Sequence, residues 1–384
     1  MPSMLSNPEL LAELVRRPSV NPMGRTDIPP ELLYESRVTD FWEAQLRALG
    51  VSVERQEVLP GRCNLVAQYA PPNPPFSLLF EAHQDTVPVD GMVIDPFAAT
   101  IRDGKLYGRG ACDVKAGGVA MFAAFARLVR EKPVGSAAVT LAFTVDEEHT
   151  FLGVQHLMQS GVTADFAVVA EPTGLDIVRA HKGVVRWQLE TTGVACHSST
   201  PEKGVSAVYR MAKVLAGVEE FAARLQQSRK DEWLGAATLS VGMIAGGVSP
   251  NTVPDRCVID IDRRLLPGES AADAVAELDA FLRTFPGCDF PFTTRPPYLA
   301  CPSLAPTGGE AFVTRLGDAI NGANRSHRVV GMPYGTDASS VQAAGVPAVV
   351  FGPGDIAQAH TKDEWVELAE VDKAAEILFR FAAG

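Results

Sequence analysis

A chain of 384 residues exceeds the usual single core, and 46% hydrophobic with 21% charged residues is an ordinary globular composition. The formal charge of −12 argues against a nucleic-acid partner, because neutralising phosphates needs a basic surface; the acidity is read as serving solubility. No run of eighteen apolar residues offers a membrane span, and the start lacks the basic-then-apolar order of a secretory signal. The six cysteines are scattered with no CxxC pair, so a reducing cytoplasm is expected.

In chain order, residues 6–17 read as a helix, with Asn7 as cap, Pro8 in the first turn, and Leu10, Leu11, Leu14 and Val15 on one face. Residues 19–30 read as loop, and 31–49 as a second amphipathic helix stopped by Gly50. Strands are expected at 51–58 and 64–69, then a proline-rich surface loop at 71–75. Leu78, Leu79 and Phe80 make a buried strand that ends in His83-Gln84-Asp85, closed by Pro88. Alternation puts His83 and Asp85 on one side, the makings of a metal ligand and the carboxylate that orients it. Taken alone, the same residues read more readily as a solvated strand end.

A small-residue helix follows at about 115–131. The buried strand 137–145 runs into Asp146-Glu147-Glu148, a helix follows near 151–159, and the strand 166–170 runs into Glu171. This alternation predicts a largely parallel sheet with helices on both faces. The grammar changes near 182. Strand 184–192, helix 203–227, strands 237–245 and 253–264, helix 270–285 and strand 290–295 give the order βαββαβ, the ferredoxin-like plan. From about 298 the earlier grammar returns, with helices at 309–321 and 337–344, a strand at 348–351 and a helix at 369–382. The expected organisation is an α/β domain in two parts, 1–181 and 297–384, around an inserted domain at 182–296.

His83/Asp85, Asp113, Glu147/Glu148 and Glu171 all follow strands, and His360 lies in a loop after the strand ending at Phe351. In open α/β sheets ligands gather beyond the carboxyl ends of strands. Histidines and carboxylates without cysteine suit Zn²⁺, Co²⁺ or Mn²⁺ better than Ca²⁺. Alone, Glu147-Glu148 reads as a solvated surface pair. Directly after a buried strand, however, two unpaired negative charges are costly unless something positive sits there. Gly108-Arg-Gly-Ala-Cys lacks the spacing of a phosphate loop. His149, His156, His181 and His327 match no ligand position and read as structural or solvated.

Together these segments carry a family resemblance that runs from about residue 5 to 380. Its bearers are His83-Gln-Asp-Thr-Val-Pro, Gly108-Arg-Gly-Ala-Cys-Asp113, Asp146-Glu-Glu148, Ala170-Glu-Pro-Thr173, Gly193-Val-Ala-Cys-His-Ser-Ser199 and His360. The chain resembles the dinuclear zinc hydrolases that include acetylornithine deacetylase, succinyl-diaminopimelate desuccinylase, aminoacylase and carboxypeptidase G. In style it is most similar to the acetylornithine deacetylase branch. The resemblance implies a zinc-exopeptidase-like domain whose inserted domain serves as lid and dimerisation surface. It implies two divalent metal ions, zinc first with cobalt or manganese as alternatives. Asp113 would bridge them, His83 and Glu171 would complete one site, and Glu148 and His360 the other. It further implies Asp85 behind His83, Glu147 as general base, and a cis peptide at Asp113-Val114. His197 would be an oxyanion donor reaching the site from the opposite subunit of a homodimer. Asn251, Arg263 and Thr336 would line the substrate pocket, the first two toward a substrate carboxylate, with Arg264 adjacent to Arg263. The implied reaction is hydrolysis of the amide of an N-acyl amino acid or short peptide, N-acetylornithine first. Desuccinylase, aminoacylase and glutamate-releasing carboxypeptidase activities are the enzyme alternatives, and a catalytically silent binding protein on the same fold is the other class. Glu171 favours an acyl substrate, since relatives that need a free substrate amine usually carry Asp there. The pair Glu81-Ala82 departs from relatives that often have Gly at position 82.

Overall fold

The computed structural model describes residues 5–384; residues 1–4, on which the leader reading partly rests, lie outside them. The chain divides into two units. One comprises residues up to Arg179 with Pro306–Val330 and Thr336–Gly384; the other comprises Ala180–Ala305 with Gly331–Gly335.

The first unit is built on an eight-stranded sheet. Its strands run in the order Val53–Leu59, Arg62–Tyr69, Ala138–Thr144, Ser77–His83, Phe166–Val169, Ala348–Val350, Ile177–His181 and Val329–Met332. Neighbours among the strands from Ala138–Thr144 to Ala348–Val350 are parallel, and Arg62–Tyr69 and Ile177–His181 join this block antiparallel. The sheet is therefore mixed about a parallel centre, as the sequence led one to expect. The chain enters Arg62–Tyr69 through the turn Pro60-Gly61 and Ile177–His181 through a short loop, neither with a crossover helix.

Apolar runs at the centre explain why this block is buried on both faces. Leu78, Leu79, Phe80, Leu141, Phe143, Val168 and Val349 are all buried. The helices Ser36–Ala48, Ala116–Glu131 and Leu368–Ala383 present their apolar faces to the same core. Trp42 stacks on Phe143 with ring centroids 4.4 Å apart. The first helix spans Asn7–Val15; its cap is Ser6 rather than Asn7, because Ser6 and Glu9 close a reciprocal capping box.

The second unit is the expected βαββαβ arrangement. Strands Gly183–Thr192, Thr238–Gly246, Arg256–Leu265 and Phe292–Thr294 alternate with helices Ala207–Ser228 and Ala271–Thr284. The sheet order places Gly183–Thr192 and Arg256–Leu265 inside and Thr238–Gly246 at one edge. Trp187, Met211, Phe221, Ile259, Ile261 and Leu278 lie in its own core. Among the described residues no helix is long and apolar enough to cross a membrane.

One glycine sets how closely an acid-bearing turn can pack. A Cβ at Gly153 would fall 2.1 Å from the carbonyl oxygen of Val145, two residues before Glu147. Gly153→Ala should therefore lower the thermal midpoint by several degrees, as backbone overpacking costs about 1–3 kcal/mol. Differential scanning of the variant beside the parent chain measures this.

Candidate metal centre

His83 closes its strand, so its direction is fixed by the sheet. Its Nδ1 lies 3.0 Å from the backbone oxygen of Asp85, an acceptor only. Nδ1 therefore carries a proton, and Nε2 faces the acids. It meets Oδ1 of Asp113 at 3.2 Å and Oε1 of Glu171 at 3.9 Å. The other oxygen of Asp113 lies 3.2 Å from Nε2 of His360, which is 3.3 Å from Oε2 of Glu148. The structure thus gathers His83, Asp113, Glu148, Glu171 and His360 around one carboxylate whose two oxygens face opposite ways. Glu147 joins His83 and Glu171 in a cluster whose ligand atoms lie within 4.8 Å of one another.

These spacings fit cations better than hydrogen bonds. Two ligands about 2.0–2.1 Å from a tetrahedral ion lie about 3.3 Å apart. Charge-assisted N–H···O bonds are usually shorter, about 2.7–2.9 Å. Charge agrees, because Asp85, Asp113, Glu147 and Glu171 are buried and two imidazoles cannot balance them. Burial pushes the carboxyls of Glu147 and Glu171 well above the usual range, against the pull of His83, and neighbouring carboxylates add to the push. Burial pushes Glu148 up as well. Asp113 goes the other way: burial is outweighed by the two histidines that face it. Asp113 and Glu148 in turn hold His360 up to about 11. Among the described residues, the buried Oε1 of Glu148 meets no hydrogen-bond partner. The donor set, nitrogen and oxygen only, is that of a borderline-hard divalent metal.

The frame around these ligands is equally specific. Asp85 accepts the backbone N–H groups of Glu147 and Glu148, each at 3.2 Å, so one carboxylate holds the turn that carries both acids. Asn21 binds Asp85 at 2.8 Å and Asp146 at 2.9 Å, and Arg62 bridges Asp146 to the buried Glu35. Gly354, at φ +90°, lets the last loop close on the Asp113 segment; a Cβ there would meet Sγ of Cys112 at 2.5 Å. The Asp113-Val114 peptide is cis.

Asn21, Arg62, Glu35 and Glu81 drew no functional reading from the sequence, whereas Asp337 was expected with Thr336 along the substrate pocket. Glu81 and Asp337 are buried and share the hydroxyl of Thr144. Burial pushes Glu81 up to about 7. Glu81 carried a signal, as a carboxylate in the middle of an apolar strand two residues before His83. Thr336 is buried at the start of the helix Ala338–Ala343, where its hydroxyl accepts from the N–H of Ala338 at 3.2 Å.

The remaining expected residues belong to the second unit. His197 is exposed, and its Nδ1 accepts the N–H of Ser199 at 3.2 Å. That leaves Nε2 as the donor of the neutral ring. Residues Cys196–His197 pair with Thr252–Val253, and Ser198 donates to the carbonyl of Asn251 at 3.0 Å, so His197 and Asn251 share one small ribbon. A cleft of about 840 Å³ opens beside it, lined by Ser198, Tyr209, Val248 and Pro250. Arg263 is placed otherwise than a free carboxylate receptor requires. Its side chain is fully buried, with the guanidinium on Glu269 at 2.7 Å and on the carbonyl of Arg264 at 2.6 Å. Strand alternation explains the difference, because it turns Arg263 toward the helices and leaves Arg264 half-buried on Asp262.

Comparisons with known proteins agree with this geometry. Residues 79–384 match the model of peptidase family M20/M25/M40. The chain is 33% identical to an acetylornithine deacetylase of Myxococcus xanthus, with 90% of each chain covered. It is 31% identical to one of Proteus mirabilis, covering 96% of this chain and 94% of that one. Among solved structures, a metallo-carboxypeptidase of the M20 family from Sulfolobus solfataricus superposes with a TM-score of 0.82 at 18% identity, covering 99% of both chains. A dinuclear metal-binding M20 peptidase from Bacillus subtilis superposes at 0.70 and 16%, covering 97% of this chain and 96% of that one.

The pKa directions give a pH test. Glu81, Glu147 and Glu171 are raised, so the stability they contribute is full below about pH 4.5 and is lost as pH rises through their folded values, about 7 for Glu81. His360, raised from 6.5 to about 11, fades in the same direction. Asp85 and Asp113 are lowered from 3.8, so their contribution is already complete by pH 5. A bound metal keeps its ligands deprotonated and cancels the loss. The gap in melting temperature between metal-loaded and chelated protein should therefore widen from pH 5 to pH 8. Groups outside the site cancel in that difference, and a gap that narrows would contradict the assignment.

Proposed function

Because the chain belongs to peptidase family M20/M25/M40, a family of metal-dependent amide hydrolases, we propose that it removes the acyl group of an N-acyl amino acid. N-acetylornithine, cleaved to ornithine and acetate, is the first candidate, with a cytoplasmic location as part of the same reading. The observation that carries the chemistry is the split of Asp113 between His83 and His360. Similarity along nearly the whole chain to proteins named acetylornithine deacetylase supports the substrate.

In this reading Asp113, His83 and Glu171 would hold one divalent ion and Asp113, Glu148 and His360 a second, zinc first and cobalt or manganese next, with Asp85 orienting His83. Bound there, the ions supply Lewis acidity toward an amide carbonyl and make water easier to deprotonate. Glu147 takes the proton on its carboxylate and returns it to the leaving nitrogen. Its burial among other carboxylates suits it to hold that proton between the two steps. His197 donates from Nε2 to the developing oxyanion, in a tautomer fixed by the Ser199 N–H. Asn251 and Thr336 complete the substrate pocket; Arg263 joins them only by leaving Glu269.

His197 serves the site of a second copy of the chain. The edge strand Thr238–Gly246 supports such pairing, since Met243 and Ile244 on it are 68% and 57% exposed. Tyr209 and Val248 extend the same unit's exposed apolar surface.

Three measurements test the proposal. Exhaustive chelation should abolish hydrolysis, and Zn²⁺ or Co²⁺ should restore it. Across N-acetylornithine, N-succinyl-diaminopimelate, N-acetylmethionine and an acylated glutamate, kcat/KM should be highest for the first; a succinyl or glutamate preference moves the assignment to the corresponding relative. Glu147→Gln should lower kcat by about 10²–10⁴ while metal content stays at the parent value. Turnover at the parent rate would remove Glu147 as the base, and no turnover of any acyl amino acid by the metal-loaded parent would favour a silent binding protein.

A further inference from the structure

Glu364 lies four residues beyond His360 and is wholly buried. Its Oε1 accepts the backbone N–H groups of Cys112 at 2.9 Å and Asp113 at 3.0 Å. Its Oε2 accepts Nη1 of Arg109 at 2.6 Å and the N–H of Gly110 at 3.0 Å. An ionised carboxylate has about four lone-pair directions, and all are used. Three N–H groups of one turn converge as they do in anion-binding nests, but the anion is the chain's own side chain.

The surrounding contacts join the same two segments. The backbone oxygen of Glu364 accepts the N–H of Gly108 at 3.0 Å. Arg109 also reaches the carbonyl of Thr361 at 3.4 Å, next to His360. Beyond Glu364 the strand Trp365–Glu367 pairs with Lys105–Tyr107. A bare structural ion pair would need Arg109 and Glu364 alone. It would not need the amide of Asp113, whose carboxylate faces both histidines.

We infer that Glu364 is a positioning residue that locks the Asp113 turn and the His360 loop into one frame, so that the ligands of the His360 site are assembled before metal arrives. The inference rests on the two-metal reading above. It predicts an asymmetry. His83 is held by its strand and by Asp85, so its site should survive loss of Glu364, whereas the His360 site should weaken.

The test is titration of the metal-free protein with Co²⁺, followed by visible absorption and by bound cobalt per chain. The parent chain should take up two ions. Glu364→Gln keeps the size of the side chain but turns an amide N–H₂ toward one set of donors. It should bind the first ion as the parent does and the second about 10–100-fold more weakly, the range found for outer partners of metal ligands. Its kcat should recover in excess Co²⁺ with KM unchanged, which a general loss of stability would not produce. Arg109→Met leaves Glu364 on its three N–H donors and should shift the second ion in the same direction by less; it carries the test if Glu364→Gln does not fold. Parent affinity for both ions in both variants would overturn the inference while leaving the metal reading intact. A parent chain that takes up no cobalt would overturn the metal reading and this inference with it.

Discussion

In the first unit Nε2 of His83 faces oxygens of Asp113 and Glu171, while the far oxygen of Asp113 faces His360 beside Glu148. Carboxylates buried together repel, and each costs several kcal/mol of lost hydration unless a charge of opposite sign answers it. The protein answers part of this with protons, which is why burial raises Glu147 and Glu171 and why His360 holds its proton so strongly. Two divalent cations answer it more completely. A metallohydrolase of this family therefore stores, in its metal-free form, an electrostatic cost that metal removes.

Such an arrangement persists only because backbone holds it. The proposed ligands come from the ends of central strands and from loops that follow them, so the sheet sets their spacing before any side chain interacts. Asp85 fixes the Glu147-Glu148 turn through two backbone N–H groups, Asn21 and Arg62 fix Asp85 and Asp146, and Glu364 fixes the Asp113 turn. Asp85, Asp146, Glu35 and Glu364 are each matched by N–H donors or an arginine. The acids proposed as ligands are not, and that difference marks where a cation belongs.

Much of this was legible in the sequence for physical reasons. Apolar strands that stop at acids or histidines are conspicuous, because a buried run ending in charge is costly without a function. The two alternation patterns separated the βαββαβ segment from its surroundings, since helices and strands bury different periods. What escaped notice was polarity without periodicity. Glu364 and Arg109 lie in irregular segments whose partners are distant in sequence, and only the folded chain brings them together. Glu81 enters the sequence reading only as the neighbour of Ala82, although it shares the Thr144 hydroxyl with Asp337, more than two hundred and fifty residues on. Arg263 was assigned from a motif, and strand alternation, which the motif does not encode, turned it inward. The capping residue of the first helix shifted by one position because a reciprocal Ser6–Glu9 pair outweighs a lone asparagine.

The central claim is that Asp113 stands between two cations. Anomalous diffraction from crystals of the cobalt-loaded protein tests it most directly. The account predicts two peaks per chain, one on either side of the Asp113 carboxylate, bordered by His83 and Glu171 on one side and by His360 and Glu148 on the other. A single peak away from Asp113, or none at full occupancy of added metal, would contradict it.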